Sequence, residues 1–330
     1  MTGVAVESPQ TLDLEVYRRE LRGYCYRMLG SAFDADDAVQ DTMVKAWQSV
    51  DRFEGRSTLR SWLYRIATNV CLDLLRGRQR RALPMDLSSP VPSSTPPVDI
   101  LPEQTWIQPM ADADVTPLGA DPAEQAVVRD SVRLAFVAAL QHLPSRQRAV
   151  LILREVLCWS AADVAELLGT TVASVNSALQ RARATLAARG VDTAAPGEPL
   201  DDAERALLAR YVQAFERYDM DALVTVLHDD ASISMPPFSM WLRGWDDLRG
   251  WYLGFGAACR GSRLVPVEMN GSPAFAQYKP AEAGDRLVPW CIQVLELRGG
   301  RIDHVHHFID PALFTRFGLP AELPLDPAAG

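Results

Sequence analysis

Two neighbouring segments near the N-terminus carry the residue types with the most chemical meaning. Residues 34–50 are acidic and predict an amphipathic helix, with Asp34 as its N-cap. Residues 59–81 are basic and aromatic and predict a second helix. An acidic helix suits docking on a basic protein surface, whereas arginines beside a tryptophan suit phosphate contacts and base stacking. A chain that holds a protein with one helix and nucleic acid with the next is an adaptor and not an enzyme.

The distribution of charge supports a nucleic-acid partner even though the whole chain is acidic. The 330 residues carry a net charge of −9, which by itself argues against such a partner. Residues 52–82, however, contain eight basic and two acidic groups. A local field of this kind attracts DNA regardless of the overall charge. The hydrophobic content of 48% supports genuine cores, and the length suits two or three domains.

Two breaks in composition divide the chain into predicted domains at 10–82, 122–190 and 200–320. Residues 83–121 contain eight prolines and neither lysine nor arginine, which predicts an extended acidic linker. The second break is DTAAPGEP at 192–199. The first two domains are predicted to be all-α, and the third to be α+β because helical patterns precede an antiparallel sheet. The predicted elements of the third domain are helices at 201–217, 221–227 and 244–258 and strands at 263–269, 273–279, 286–298 and 301–309.

Helical periodicity separates a buried stripe from an outer face in both N-terminal helices. In the acidic helix the predicted core stripe is Val39, Met43, Ala46, Trp47 and Val50, beside a polar stripe of Asp37, Asp41, Lys45 and Gln48. In the basic helix the predicted core stripe is Leu59, Leu63, Ile66, Val70 and Leu74, opposite Trp62, Arg65, Asn69, Asp73 and Arg76. The alternative is that the acidic face is merely solvated and that Trp62 packs against a neighbouring helix.

Residues 35–47, ADDAVQDTMVKAW, and 60–76, RSWLYRIATNVCLDLLR, resemble regions 2.2 and 2.3–2.4 of bacterial sigma factors of the extracytoplasmic-function group. The resemblance implies that one face docks on the clamp helices of the RNA polymerase β′ subunit: Asp37, Gln40, Asp41 and Trp47. It also implies that the loop around Phe53–Thr58 and a second face melt and read the −10 promoter element: Arg60, Trp62, Arg65, Asn69 and Arg76. Extruding a base costs roughly a few kcal/mol, which aromatic stacking offsets.

Residues 160–186, SAADVAELLGTTVASVNSALQRARATL, have the pattern of a helix-turn-helix. Ser160 and Thr171 are the predicted N-caps, and Gly169 ends the first helix in a tight turn. The predicted core positions are Ala162, Val164, Ala165 and Leu168 in the first helix and Val172, Val175, Leu179, Ala182 and Leu186 in the second. An ordinary helical hairpin is the alternative. Together with LPSRQRAVLILREV at 143–156, the pattern resembles sigma region 4, which implies contacts with the −35 element and the polymerase β flap.

The second helix of this pattern is predicted to lie in a DNA major groove. The side chains predicted to reach base edges or phosphates are Thr171, Asn176, Ser177, Gln180, Arg181 and Arg183. The family often has a basic residue where this chain has Asn176 and another where it has Ala178, and this departure bears on the −35 preference. In the family, the segment between the two regions threads the RNA exit path, which an acidic, extended linker suits. A plain tether is the alternative, with Trp106 and Ile107 as apolar anchors on another domain.

Residues 203–317 resemble the SnoaL-like group of the NTF2-like superfamily, a cone-shaped α+β domain around an apolar pocket. The segments LLARYVQAFERYDMDALVTVLHDDASISMP at 207–236 and GGRIDHVHHFIDPALFTRFGLP at 299–320 carry the resemblance. The predicted pocket side chains are Trp245, Tyr252, Tyr278, Trp290, His304 and His306, with Asp229 and Trp241 as further candidates. Strand alternation places His304, His306 and Phe308 on one face and His307 on the other.

Relatives of this fold include isomerases and cyclases that move protons through a pocket histidine or aspartate. Three roles are therefore open for the third domain: regulatory packing or sensing without turnover, a switch gated by a small-molecule ligand, and catalysis. Sigma factors fused to such a domain imply control in cis, through contact with the linker or the helical domains.

Three classes of protein fit the whole chain. The first is an alternative sigma factor that binds core RNA polymerase and promoter DNA, the second a stand-alone ligand-responsive DNA-binding regulator, and the third an isomerase or cyclase with helical domains attached. The first is favoured because a free repressor has no use for an acidic helix followed by a basic one. Five scattered cysteines without a C-x-x-C pair indicate reduced thiols and a cytoplasmic location, and no cofactor or metal is expected. Residues 1–16 lack a signal peptide, and no apolar run reaches the roughly 18 residues of a membrane span.

Overall fold

The computed structural model describes residues 13–53, 57–189 and 200–325. The predicted break at 192–199, residues 10–12 and 54–56 of the first predicted domain and residue 190 of the second lie outside these ranges. The described N-terminal part consists of packed helices: α1 (Arg18–Leu29), α2 (Ala32–Ser49) and α3 (Leu59–Leu75). Ser31 caps α2 by accepting a hydrogen bond from the Asp34 amide at 3.1 Å. Asp34 therefore lies in the first turn and is not the predicted N-cap, because the Ser31 hydroxyl takes that role three residues earlier.

The basic helix is shorter than predicted. It ends at Leu75, and the backbone turns extended at Arg76 before Gly77, which has a φ of 76°. Arg78 and Arg81 return towards α2 and pair with the Asp34 carboxylate at 3.1 and 2.7 Å. The basic tail leaves the helix because Gly77 accepts a left-handed conformation and Asp34 pairs with the arginines beyond it.

The second half of the linker is folded into the core. Ile107 and Met110 are completely buried, and the Ile107 amide donates to the Ala82 carbonyl at 3.1 Å. A short helix, α4 (Asp112–Val115), follows. The predicted anchors Trp106 and Ile107 are indeed buried, and a flexible tether is the wrong description of residues 106–115.

The second helical domain contains the predicted helix-turn-helix. Its helices are α5 (Pro122–Ser131), α6 (Leu134–Gln141), α7 (Ser145–Leu151), α8 (Ala161–Leu168) and α9 (Val172–Ala187). Ser160 and Thr171 cap α8 and α9 as predicted, and Gly169 between them has a φ of 61°. Two predicted core positions are wrong: Ala162 and Val172 are exposed, and Leu167 is buried instead.

The two helical domains share one hydrophobic core. Residues of α1–α3 and of α6–α9 belong to a single cluster of buried side chains. Arg148 of α7 is buried at this junction and donates to the carbonyl of Met28 at the end of α1. The Tyr64 and Trp159 rings lie 5.0 Å apart across the same junction. The arrangement of the helical domains is therefore set by tertiary contacts and not by the linker alone.

The C-terminal domain is α+β, as predicted. Its helices are α10 (Asp202–Glu216), α11 (Met220–Val226), α12 (Trp245–Leu253) and α13 (Ala312–Arg316). Its strands are β1 (Leu227–Ser234), β2 (Trp241–Arg243), β3 (Arg263–Met269), β4 (Ser272–Pro280), β5 (Arg286–Arg298), β6 (Arg301–Phe308) and β7 (Leu323–Pro324). The sheet order among the described residues is β2-β1-β6-β5-β4-β3, with β7 beside β5. The sheet is mixed and not purely antiparallel, because β1 and β6, far apart in the chain, pair in parallel.

The two faces of this sheet have different partners. On one face, Phe275, Leu295 and Val305 form a core with α10–α12. On the other face, Ala276 and Val294 join the cluster of buried side chains that fills the helical domains. The C-terminal domain thus uses the outside of its sheet as an internal interface. Within the described ranges, no helix combines the length and apolarity needed to cross a bilayer.

Candidate polymerase and promoter surfaces

The predicted docking side chains lie together on the outside of α2. Asp37, Gln40 and Asp41 are exposed at helical spacing. Trp47, which the periodicity placed in the core stripe, has 75% of its surface exposed and lies about two helical turns beyond Gln40 on the same side of α2. Exposed tryptophan in an acidic surface is costly to leave in water and is the residue type that most often anchors a protein interface. We call Asp37, Gln40, Asp41 and Trp47 the outer face of α2.

The predicted −10 residues are only partly free. Asn69 and Arg76 are exposed, and the Trp62 ring packs on Phe53 with centroids 5.1 Å apart. Arg60 donates from Nε to Glu20 Oε1 at 2.5 Å, and its guanidinium lies 5.7 Å from the Trp159 ring centroid. Residues 54–56 of the predicted melting loop lie outside the described residues.

One −10 residue contacts the other helical domain. Arg65 Nη2 of α3 lies 3.2 Å from Glu166 Oε1 of α8. The guanidinium that was predicted to contact DNA is therefore paired with a carboxylate of the other helical domain. Trp159, which packs on Tyr64, immediately precedes α8. The α8 side of the helix-turn-helix therefore covers part of the α3 face that the sequence assigns to the −10 element.

The predicted −35 side chains form a continuous exposed surface. Thr171 caps α9 through its hydroxyl, which accepts from the Ser174 amide at 3.1 Å. The other members are exposed on α9: Asn176, Ser177, Gln180, Arg181 and Arg183. Arg183 pairs with Glu155 at 2.6 Å, so its guanidinium already has an acidic partner within the chain. Val172, 44% exposed at the start of α9, adds an apolar group to this surface.

The six predicted pocket side chains do not surround one pocket. Tyr252 lies under the helices, whereas Tyr278 is buried against Phe314 on the opposite face of the sheet. Trp245 is 41% exposed, and the Trp290 ring lies under the ammonium of Lys279. The prediction of a shared pocket is wrong because Tyr252 lies on α12 against one face of the sheet, whereas alternation along β4 directs Tyr278 to the other face.

The histidines of β6 lie on the faces that alternation predicts. His304 and His306 pair with the hydroxyls of Ser232 and Ser234, and His306 Nε2 lies 3.5 Å from Glu296. Burial lowers the pKa of His304 to about 4. Burial alone would raise the pKa of Glu296, but the neighbouring His306 lowers it to about 2. Within the described chain, no group of three or more His, Cys, Asp or Glu side chains is arranged to hold a metal ion.

A cavity of about 1820 Å³ lies between domains and not inside the cone. Its lining includes Arg129 and Arg133 of the second helical domain and Val212 and Glu296 of the C-terminal domain. Of the described side chains predicted to form a pocket, none lines it.

Sequence reasoning also missed a buried polar chain in the cone: Tyr211 donates to Gln293, which donates to Gln277 at 2.8 Å. Apolar neighbours along each strand conceal this network, which only pairing of β4 with β5 brings together.

Comparison with known proteins finds three family models that match separate segments of the chain. Residues 14–81 match the family model of sigma-70 region 2, residues 133–186 that of sigma-70 region 4, and residues 208–305 that of the SnoaL-like domain. The ECF RNA polymerase sigma factor SigG of Mycobacterium tuberculosis strain H37Rv is 45% identical over 94% of this chain and 83% of its own length. The ECF RNA polymerase sigma factor SigJ of the same strain is 26% identical over 92% of each chain.

A solved structure extends the likeness to the fold. The crystal structure of Mycobacterium tuberculosis SigJ superposes with a TM-score of 0.58 at 24% identity, covering 93% of this chain and 98% of that one. The fold of the helical domains and of the attached α+β domain is therefore shared over almost the whole chain. The chain belongs to the extracytoplasmic-function sigma factors of bacterial RNA polymerase, with sigma regions 2 and 4 followed by a SnoaL-like domain.

Proposed function

We propose that the outer face of α2 docks on the β′ clamp helices of core RNA polymerase, and that α3 reads the −10 element. The second helical domain reads the −35 element with α9 and contacts the β flap. The C-terminal domain controls these steps in cis without turnover. The protein acts in the cytoplasm, where its polymerase is. The observation that carries this proposal is that Trp47, Asp37 and Asp41 are all exposed on α2, the helix that precedes one with arginines on its outside.

The distance between the −10 and −35 elements supports the proposed control by the C-terminal domain. Elements centred about 25 base pairs apart lie roughly 85 Å apart along B-DNA, at about 3.4 Å per base pair. In the folded chain α3 and α8 are in contact through Arg65 and Glu166. One closed molecule therefore does not reach both elements, and promoter binding requires the helical domains to separate. A SnoaL-like domain packed on both helical domains is placed to oppose that separation.

Polymerase binding and run-off transcription test this function. Asp41→Arg reverses a charge on the outer face of α2 and is expected to weaken binding to core polymerase by roughly tenfold or more, as a lost interface anchor does. Glu282→Arg, the same charge reversal at an exposed site in the β4–β5 turn, serves as the matched control. Full binding by Asp41→Arg would refute the docking face. Equal run-off output from the full chain and from residues 1–199 would refute control in cis.

A further inference from the structure

The turn between β3 and β4 is buried, although turns at hairpin tips are normally exposed. Asn270 and Gly271 form this two-residue turn, with φ values of 55° and 60°. Such values are typical of an Asn-Gly hairpin turn. Asn270 is nevertheless completely buried, because the tip is inserted between the linker and both helical domains. We call Asn270–Gly271 the interface turn.

Asn270 is bonded to three separate parts of the chain. Its Oδ1 accepts from the Met110 amide at 2.9 Å, and its own amide donates to the Met110 carbonyl at 2.9 Å. Its Nδ2 donates to the Tyr26 hydroxyl of α1 and to the Val132 carbonyl beyond α5, both at 2.6 Å. One side chain of the C-terminal domain thus joins the linker, the first helical domain and the second.

Gly271 fits this position for a steric reason. Its amide donates to Asp112 Oδ1 of α4 at 2.8 Å. A Cβ atom here would lie 2.3 Å from the Arg129 carbonyl oxygen, which is part of α5 backbone and has no flexible end to move away. Any side chain at this residue would therefore push the turn out of its site.

A second contact of the C-terminal domain lies close to the docking surface. Arg316 of α13 pairs with Asp36 of α2 at 2.5 Å and with Asp114 of α4 at 2.8 Å. Asp36 directly precedes Asp37, the first residue of the outer face of α2. Withdrawal of the interface turn would leave the Val132 carbonyl and the Met110 amide and carbonyl without these partners. The Tyr26 hydroxyl would lose one of two hydrogen bonds and keep the one it donates to the Gln108 carbonyl at 2.9 Å. Loss of several buried hydrogen bonds at once makes the closed arrangement cooperative.

We propose that the interface turn holds the linker and both helical domains in the closed arrangement, and that its insertion is how the C-terminal domain restrains polymerase binding. This inference rests on the proposed control in cis. Opening requires the β3–β4 hairpin to withdraw, which releases linker residues 106–112 and frees the helical domains to separate.

Two glycine variants of the full-length protein test this inference. Gly271→Ala places a methyl group against Arg129, whereas Gly300→Ala makes the same change in the exposed β5–β6 turn, where φ is 72° and a Cβ meets nothing within 4 Å. Both carry the same left-handed backbone cost, so they differ only in the interface. Hydrogen exchange of residues 106–112 should be roughly tenfold faster in Gly271→Ala and unchanged in Gly300→Ala. Small-angle scattering should show expansion of Gly271→Ala alone, together with tighter binding to core polymerase.

Asn270→Asp provides a second, nearly isosteric variant that keeps the acceptor and loses both donors. It should open the chain in the same way, and its circular dichroism spectrum should match that of the unaltered protein. Unchanged exchange and scattering in both interface variants would overturn the inference, whatever the transcription assay shows. If the chain opens but binds core polymerase no more tightly, the claim that the interface turn restrains polymerase binding is wrong. In that case, a difference in run-off output between the full chain and residues 1–199 would still support control in cis.

Discussion

Arg148 offers a quantitative test of what holds the two helical domains together. Its side chain is 4% exposed and donates to the Met28 carbonyl of α1. It also donates to Gln141 Oε1 at 2.6 Å and to the carbonyls of Gln141 and Leu143 at 3.2 and 3.3 Å. Arg148→Met keeps an unbranched side chain of similar volume, although a shorter one, and removes every donor.

Two opposing terms set the magnitude. Burial lowers the pKa of Arg148 to about 10, which corresponds to roughly 3 kcal/mol of unfavourable charge burial that the substitution relieves. Hydrogen bonds from a charged donor contribute about 1.5–3 kcal/mol each. The substitution removes four of them, one to each of four acceptor oxygens. The loss exceeds the gain, so we expect the free energy of unfolding to fall by about 3 kcal/mol.

Urea unfolding followed by tryptophan fluorescence measures this change, because Trp159 lies at the same junction. Arg146→Met is the matched control, since Arg146 is exposed on the same helix, and its effect should stay within about 0.5 kcal/mol. If Arg148→Met is as stable as the control, the buried guanidinium does not hold the junction and the reasoning fails.

Two further substitutions probe the interface. Glu166→Gln releases Arg65, but both side chains are largely exposed, so the free energy of unfolding should change by less than about 1 kcal/mol. Binding of the holoenzyme to a −10 single strand, measured by fluorescence anisotropy, should rise by at most about fivefold. A larger gain in affinity would contradict the assignment of Arg65 and Glu166 as a weak, exposed ion pair. Burial raises the pKa of Asp112 to about 6, so the folded chain binds the extra proton and stability falls as pH rises from about 4 to 6. Asp112→Asn should remove that slope and raise the free energy of unfolding at pH 7.5 by about 2 kcal/mol in urea titrations, and an unchanged slope would refute it.

Local signals in the sequence predicted a large part of the helical domains. The caps at Ser160 and Thr171 and the turn at Gly169 involve residues within one helical turn of each other, so the pattern contains all the required contacts. The exposure of Asp37 and Asp41 follows from helical spacing in the same way. Strands β3 to β6 were also predicted closely, because alternation along a strand is local, whereas β1, β2 and β7 were not among the predicted strands.

Errors arose where a distant partner competes with the local pattern. Periodicity assigned Trp47 to the core, whereas the resemblance assigned it to the docking set, and only packing of α2 on its neighbours leaves it exposed. The basic tail after Leu75 looked helical, but Asp34 of α2 draws Arg78 and Arg81 away. The pocket residues were grouped by chemical type, whereas the faces of the sheet separate Tyr252 from Tyr278.

The sequence by itself determined the family, the helix-turn-helix and the outer face of α2, because each depends on residues close together in the chain. Only the tertiary structure decided that α8 covers Arg65 and that the C-terminal domain reaches both helical domains through one asparagine. Asn270 and Tyr26 are 244 positions apart, and an Asn-Gly pair reads as an ordinary exposed turn until the fold buries it. No local pattern in the sequence predicts a hydrogen bond between such distant residues, since the bond depends on how complete domains pack.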